Sequence, residues 1–230
     1  MKSTRPLLLI CTALLVTTGC RKPEPAPATT TAVTKPNATI DWNTAGTITG
    51  TIHYAKKAPP RVEIDMGQDP ACALTGGTNL TEQYLVRNGK LQNVFLSITD
   101  GLGNKAYAAP TTSVNLDQKG CRFTPHVIGV MVGQPVRYTN SDPTMHNVHT
   151  TPDNGNAEVN IAQPPMAGTL EQAFKHSATM LPVACANHPW MQAFINIAPS
   201  PFYSVSNENG HFEIHGLPPG VYTLTATHEQ

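Results

Sequence analysis

The strongest constraint on the fold is a seven-residue stretch in which a thiol, an imidazole and a thioether follow one another closely, at Cys185, His188 and Met191. The segments on either side, 179–184 and 193–197, have the length and apolar content of β-strands. The stretch between them therefore predicts a tight loop that joins two strands. Such a loop can turn all three side chains towards one point.

The rest of the chain also favours short strands. It contains 21 prolines and 17 glycines, which argue against long helices. Segments 47–54 and 94–98 carry the β-branched and apolar residues of strands, whereas 63–80 has no clear period and predicts a loop. Many short strands separated by turn residues predict an all-β antiparallel sandwich.

Charge excludes one class of function. Only 13% of the residues are charged and the formal net charge is zero. No basic surface is available to neutralise phosphates, so we expect no nucleic-acid partner.

The N-terminus predicts export. Basic residues precede an apolar run from Leu7 to Val16, which is shorter than the roughly 20 residues needed to span a bilayer. The run leads to Cys20, and residues 1–20 resemble a bacterial lipoprotein signal peptide, an ordinary cleaved signal being the alternative. The resemblance implies a lipid on Cys20 and a place on the periplasmic side of a bacterial membrane. Residues 21–40, rich in Pro, Thr and Ala, predict a flexible tether.

Three cysteines remain after the signal peptide and the lipidated residue are set aside: Cys72, Cys121 and Cys185. In an oxidising compartment structural cysteines pair, so an odd number leaves one thiol to stay free, pair between chains or bind a metal. If Cys185 binds a metal, Cys72 and Cys121 remain as a pair. Their bridge would close a loop of about 50 residues and contribute about 4 kcal/mol. In the alternatives, one of these two cysteines is a reactive thiol, or Cys121 joins His126 in a second metal site.

Sulfur ligands favour copper, zinc or iron–sulfur clusters, and two histidines, a cysteine and a weak axial methionine form the ligand set of electron-transfer copper. The second histidine must come from a distant strand end. His146 is the candidate because it follows a polar turn after a predicted strand that ends at Asn140. His149 would lie on the opposite face of a strand. We keep His149 and His126 as possible alternative or additional ligands.

These features resemble the cupredoxins, the blue type 1 copper family. Two signatures lie within 128–197: a Gly-x-x-Val segment leading through Asn to His-Asn-Val at 146–148, and the Cys-x-x-His-x-x-Met loop, whose short spacing is amicyanin- and plastocyanin-like. The resemblance implies a Greek-key β-sandwich over 41–199. It also implies one copper ion, bound by His146, Cys185, His188 and Met191.

The resemblance also gives roles to neighbouring residues. Asn147 would hydrogen-bond across to the cysteine loop and hold the site closed in both oxidation states. Pro189 and Trp190 would flank His188. The ring of Pro189 fixes the φ angle of that residue, beside the histidine. The exposed ring edge of His188, inside an apolar patch, would be the electron portal.

The C-terminal part differs in style. An Asn-Gly pair at 209–210 predicts a tight turn, and 211–215 and 221–227 predict strands. Their Gly-x-Phe-x-Ile-x-Gly-Leu-Pro-Pro-Gly-x-Tyr pattern resembles the hairpin of carboxypeptidase regulatory-like, transthyretin-like modules. We expect residues 200–230 to form an appended, structural β-hairpin that packs on the strand near 47–54 within the same domain.

The sequence therefore predicts an exported, lipid-anchored, monomeric type 1 copper protein that carries single electrons between redox protein partners. With four protein ligands, no coordination position remains for a substrate, so we expect no enzymatic activity. Three alternatives remain: a copper carrier or sensor, a metal-independent scaffold lipoprotein in which Cys185 is a spare thiol, and a catalytic red-copper or zinc site that uses His149 or His126.

Overall fold

The computed structural model describes residues 36–74 and 78–230. The predicted signal peptide, its Cys20 and most of the 21–40 tether lie outside the described residues. Within the described part of the chain, no helix has the length and apolar character needed to span a membrane. The described residues form one short helix, α1 (Pro70–Ala73), and sixteen strands: β1 (Gly46–Thr51), β2 (Val86–Arg87), β3 (Lys90–Leu91), β4 (Phe95–Asp100), β5 (Val114–Gln118), β6 (Phe123–Thr124), β7 (Val127–Met131), β8 (Pro135–Asn140), β9 (His146–Thr150), β10 (Val159–Gln163), β11 (Leu170–Ala173), β12 (Ala178–Ala184), β13 (Gln192–Ala198), β14 (Tyr203–Val205), β15 (His211–Leu217) and β16 (Thr223–Thr227).

The two larger sheets form a β-sandwich. One has the strand order β10-β9-β12-β13-β7 and the other β11-β8-β5-β6, with parallel pairs at β13–β7 and β5–β8. Side chains alternate across β8, so that Val136 and Tyr138 point inwards, where they meet Leu116 and Ile195 in one buried cluster. The prediction of an all-β sandwich is confirmed.

A second core lies beside this sandwich. Strands β1 and β15 form one small sheet, and β14, β4 and β16 form another. Leu96 of β4 and Ile214 of β15 are buried in a cluster with Phe202. Strand β4, from the range predicted for the copper-binding domain, thus shares a core with strands that follow residue 200.

The predicted C-terminal hairpin is wrong in its pairing. Strand β15 pairs with β1, with Ile214 opposite Ile48, whereas β16 pairs with β4. Pro218 and Pro219 lie in the connection between the two strands, where they have no amide hydrogen with which to extend a ladder beyond β15. The connection carries the chain from one small sheet to the other, and the hydroxyl of Tyr222 donates to the carbonyl of Pro218 at 2.6 Å.

The segment 63–80, predicted as a loop, contains helix α1. Asp69 caps its N-terminus and Pro70 occupies the first turn, a pairing typical of helix starts. A disulfide joins Cys72 to Cys121, with 5.5 Å between the Cα atoms, and both residues are fully buried. This bridge holds α1 against the sandwich, beside the loop that follows β12.

Candidate metal centre

Three metal-binding atoms converge at one end of the sandwich. His146 begins β9, while Cys185 and His188 lie in the loop between β12 and β13. The two histidine Nδ1 atoms are 3.0 Å apart, and the Cys185 Sγ is 3.6 Å from the Nδ1 of His188. All three ligand atoms lie within 4.8 Å of one another, and all three residues are buried.

Backbone hydrogen bonds close the loop that carries two of these atoms. The N–H of Cys185 donates to the carbonyl of Met191 at 3.3 Å, and the N–H of Met191 donates to the carbonyl of His188 at 2.9 Å. Met191 is buried just before β13, whereas Pro189 is exposed. The indole of Trp190 lies 5.1 Å from the His188 ring and donates to the carbonyl of Cys121.

A buried carboxylate orients the first histidine. The Nε2 of His146 lies 2.9 Å from the Oδ2 of Asp142. Asp142 also accepts the backbone N–H groups of Gly120 and Cys121, each at 2.7 Å, so its position is fixed. Burial lowers the pKa of His146 below its ordinary value, which favours the neutral imidazole that a metal requires.

A second carboxylate orients the other histidine. The Nε2 of His188 lies 3.0 Å from the Oδ2 of Asp69, which also accepts the hydroxyl of Thr144 at 2.7 Å. The hydrogen bonds from Thr144 and His188 lower the pKa of Asp69 to about 2. At neutral pH this carboxylate is therefore ionised and can only accept hydrogen bonds.

These contacts determine what the centre can hold. Because Asp142 and Asp69 accept, each imidazole carries its proton on Nε2 when neutral. The Nδ1 lone pairs of His146 and His188 then face each other across 3.0 Å, next to the sulfur of Cys185. Lone pairs in that arrangement repel unless a cation lies between them. Two imidazoles and a thiol, with a buried methionine in the same loop, fit copper.

Asn147 connects β9 to the cysteine loop. Its side-chain oxygen accepts the N–H of Ala186 at 3.3 Å, and its amide donates to Asn160 at 3.0 Å. Its backbone N–H donates to the Sγ of Cys185 at 3.3 Å. This residue therefore ties the histidine strand to the thiol both through its side chain and through its backbone.

The prediction that the ring edge of His188 is exposed is wrong. His188 is only 3% exposed, because Asp69 and helix α1 cover the ring edge that should face an apolar patch. The neighbouring surface is a mainly polar depression, lined by Asp69, Thr144, Met145 and Asn187 among others. The disulfide explains the difference, since it brings a distant segment over the loop.

The two alternative histidines make contacts of their own. His149 lies on the other side of β9 from His146, and its Nε2 is 2.9 Å from Glu158. His126 precedes β7, where its Nε2 lies 2.6 Å from Glu229. Among the described residues, the group that could hold a metal ion with Cys185 consists of His146 and His188, and it includes neither His149 nor His126.

Our interpretation of the sequence missed Asp69 and Asp142. Both are followed by proline, and Asp69-Pro70 is an N-cap and first-turn signal that could have indicated α1. Asp142 lies four residues before His146 in a polar turn. Neither position follows the strand or helix periodicity that indicates buried residues.

Comparisons with known proteins find partial likenesses among solved structures. No protein-family model and no curated protein matches the sequence. A Cu-containing nitrite reductase from Thermus scotoductus SA-01 is 19% identical over 43% of this chain, with a TM-score of 0.36, and the chain covers 25% of its length. A purple cupredoxin from Nitrosopumilus maritimus is 19% identical over 37% of this chain and 99% of its own, with a TM-score of 0.32. An amicyanin variant is 19% identical over 44% of this chain and 97% of its own, with a TM-score of 0.34. Each likeness covers less than half of the chain, so we interpret the site from its own geometry.

Proposed function

We propose that this protein is an exported, lipid-anchored copper protein that carries single electrons between redox protein partners. The supporting observation is the convergence of two imidazole nitrogens and one thiol sulfur within 4.8 Å of one another, with both imidazoles oriented by carboxylates. Cys185, His146 and His188 would hold one copper ion, with Met191 as a weak axial ligand. Bound copper would supply a one-electron couple.

The surroundings suit electron transfer. The ligands are buried, the loop is closed by backbone hydrogen bonds, and the sulfur accepts the N–H of Asn147. Such a rigid cage changes little between oxidation states, which keeps the reorganisation energy low. If all four positions are filled by protein side chains, no substrate can bind to the metal, which favours a carrier over an enzyme.

Visible absorption and electron spin resonance of the Cu(II)-loaded protein test the proposal. We expect an intense thiolate-to-copper band that ascorbate bleaches, an oxidant restores and Cys185→Ser abolishes. Met191→Leu should shift the reduction potential, whereas Met166→Leu, which changes a methionine that is 95% exposed, should leave it unchanged. A colourless protein that binds Cu(II) weakly would reject a type 1 site.

One observation favours copper transfer as a second candidate. Met145 is 48% exposed and lines the depression beside His188. An exposed thioether next to a ligand could accept Cu(I) from the site. Retention of copper through repeated redox cycles in the presence of a Cu(I) chelator supports the electron carrier. Loss of copper that slows in Met145→Leu supports transfer.

The location of the protein belongs to the same proposal. We infer that a lipid on Cys20 anchors a monomer to the periplasmic side of a bacterial membrane. Cys20→Ser should move the protein from the membrane fraction to the soluble fraction of the cell. An unchanged membrane fraction in that variant would argue against the lipid anchor.

A further inference from the structure

Asp69 is the polar group that covers the candidate copper ligand His188. Its Oδ2 accepts both the Nε2 proton of His188 at 3.0 Å and the hydroxyl of Thr144 at 2.7 Å. The side chain of His188 is 4% exposed and that of Asp69 is 21% exposed. The carboxylate therefore lies between the imidazole and the solvent, at the outer end of the ring.

Several restraints keep this carboxylate in place. Its Oδ1 accepts the N–H of Ala71 at 2.8 Å, which makes Asp69 the N-cap of α1. Three residues after Asp69, within α1, Cys72 is bridged to Cys121 in the body of the sandwich. Asp69 thus has separate partners for its two oxygens, and a covalent tie holds its segment.

The contact between Asp69 and His188 sets the chemistry of the opposite ring nitrogen. A proton held on Nε2 leaves the Nδ1 lone pair free, and that atom points at the Nδ1 of His146, 3.0 Å away. A carboxylate on the outer nitrogen also raises the basicity of the imidazole as a ligand. The ring is thereby fixed both in tautomer and in direction.

We propose that Asp69 is a positioning residue for the copper ion: it directs His188 through the Nε2 proton and stabilises the more highly charged copper state. This inference rests on the proposed copper function. The sign follows from electrostatics, since a negative charge at the outer nitrogen favours Cu(II) over Cu(I) and so lowers the reduction potential. Neutralising the charge should raise it.

The experiment compares two isosteric substitutions in the full copper-loaded protein. Asp69→Asn removes the charge but retains an N-cap side chain of the same shape. Asp65→Asn is the matched control, because Asp65 lies four residues earlier, is exposed and accepts the N–H of Gly67 at 2.8 Å. The measurements are the reduction potential and the position of the visible band.

Replacing an outer partner of a metal-binding histidine typically changes metal affinity 10- to 100-fold. For Asp69→Asn we expect the ratio of Cu(I) to Cu(II) affinity to rise at least about tenfold, which corresponds to about 59 mV for one electron. Asp65→Asn should change the potential much less. If Asp69→Asn shifts the potential no more than Asp65→Asn does, the positioning role is overturned.

A measurement on the unmodified protein decides the case in which Asp69→Asn does not fold. Nitrogen NMR of the Cu(I)-loaded protein should show the His188 proton on Nε2, protected from exchange with water. A proton on Nδ1, or a rapidly exchanging Nε2 proton, would overturn the proposal. A visible band in the unmodified protein, together with either of these negative results, would reject the role of Asp69 while leaving the copper site intact. Absence of that band would reject the proposed function itself.

Discussion

Breaking the Cys72–Cys121 disulfide should remove a large part of the protein's stability. The bridge spans a sequence separation of 49 residues. In the chain-entropy model, closing a loop of that length in the unfolded chain corresponds to about 14 cal/mol/K, or about 4 kcal/mol at 25 °C. Because domains are typically stable by roughly 5–15 kcal/mol, a loss of that size should be easy to measure.

The assay is urea unfolding of the metal-free protein, so that bound copper adds nothing to the free energy of unfolding. Oxidised protein, protein reduced with a phosphine and the Cys72→Ala/Cys121→Ala variant are compared. The reduced protein keeps both sulfur atoms, so its loss of stability reports the cross-link alone. The alanine variant should lose more, because both residues are fully buried. A loss below about 1 kcal/mol in the reduced protein would refute the loop-closure reasoning.

Three further predictions concern individual side chains. Asp142→Ala leaves the partly buried N–H of Gly120 and the buried N–H of Cys121 without an acceptor, so the free energy of unfolding in urea should fall by about 2–5 kcal/mol. An unchanged free energy would contradict the structural role of Asp142. Asn147→Ala removes the hydrogen bond between the Asn147 side chain and the cysteine loop, so copper binding should weaken about 10- to 100-fold in competition with a chelator. An unchanged copper affinity would show that this hydrogen bond does not support the site. Burial raises the pKa of Tyr203 from 10.0 to about 12, so the neutral phenol stabilises the folded state fully below pH 10, and this contribution is lost as the pH rises towards 12. The difference in unfolding free energy between the unmodified protein and Tyr203→Phe should therefore change over that interval, and a constant difference would show that Tyr203 ionises equally in both states.

The strands beside the cysteine loop could be predicted from sequence because their signal is local. Segments 179–184 and 193–197 are apolar, and the structure has β12 and β13 there, paired to each other. The spacing of Cys185, His188 and Met191 is also a local property, so their common loop follows directly from the chain. The pairing of β15 is not local, since its partner β1 lies more than 150 residues earlier and competes with the nearer β16.

The carboxylates could not be predicted in the same way. Helix α1 has four residues, too few to show a hydrophobic period, and its capping Asp69 meets His188 across 119 positions of sequence. The partnership depends on the disulfide that brings α1 over the loop. Sequence spacing indicates candidate ligands that share one loop. The groups that orient a candidate ligand from a distant segment can be found only once the chain is folded.

The disulfide and the candidate metal centre form one connected structure. Asp69 lies three residues before Cys72, and the backbone N–H of Cys121 donates to Asp142 at 2.7 Å. One covalent bridge therefore joins the segment of Asp69, which orients His188, to Cys121, whose backbone N–H helps to hold Asp142 against His146. Three thiols can form three different pairs, and the Cys72–Cys121 pair is the one that leaves Cys185 free. Oxidation of this pair thus restrains the segment that carries Asp69 and leaves the thiol of Cys185 available to the proposed metal ion.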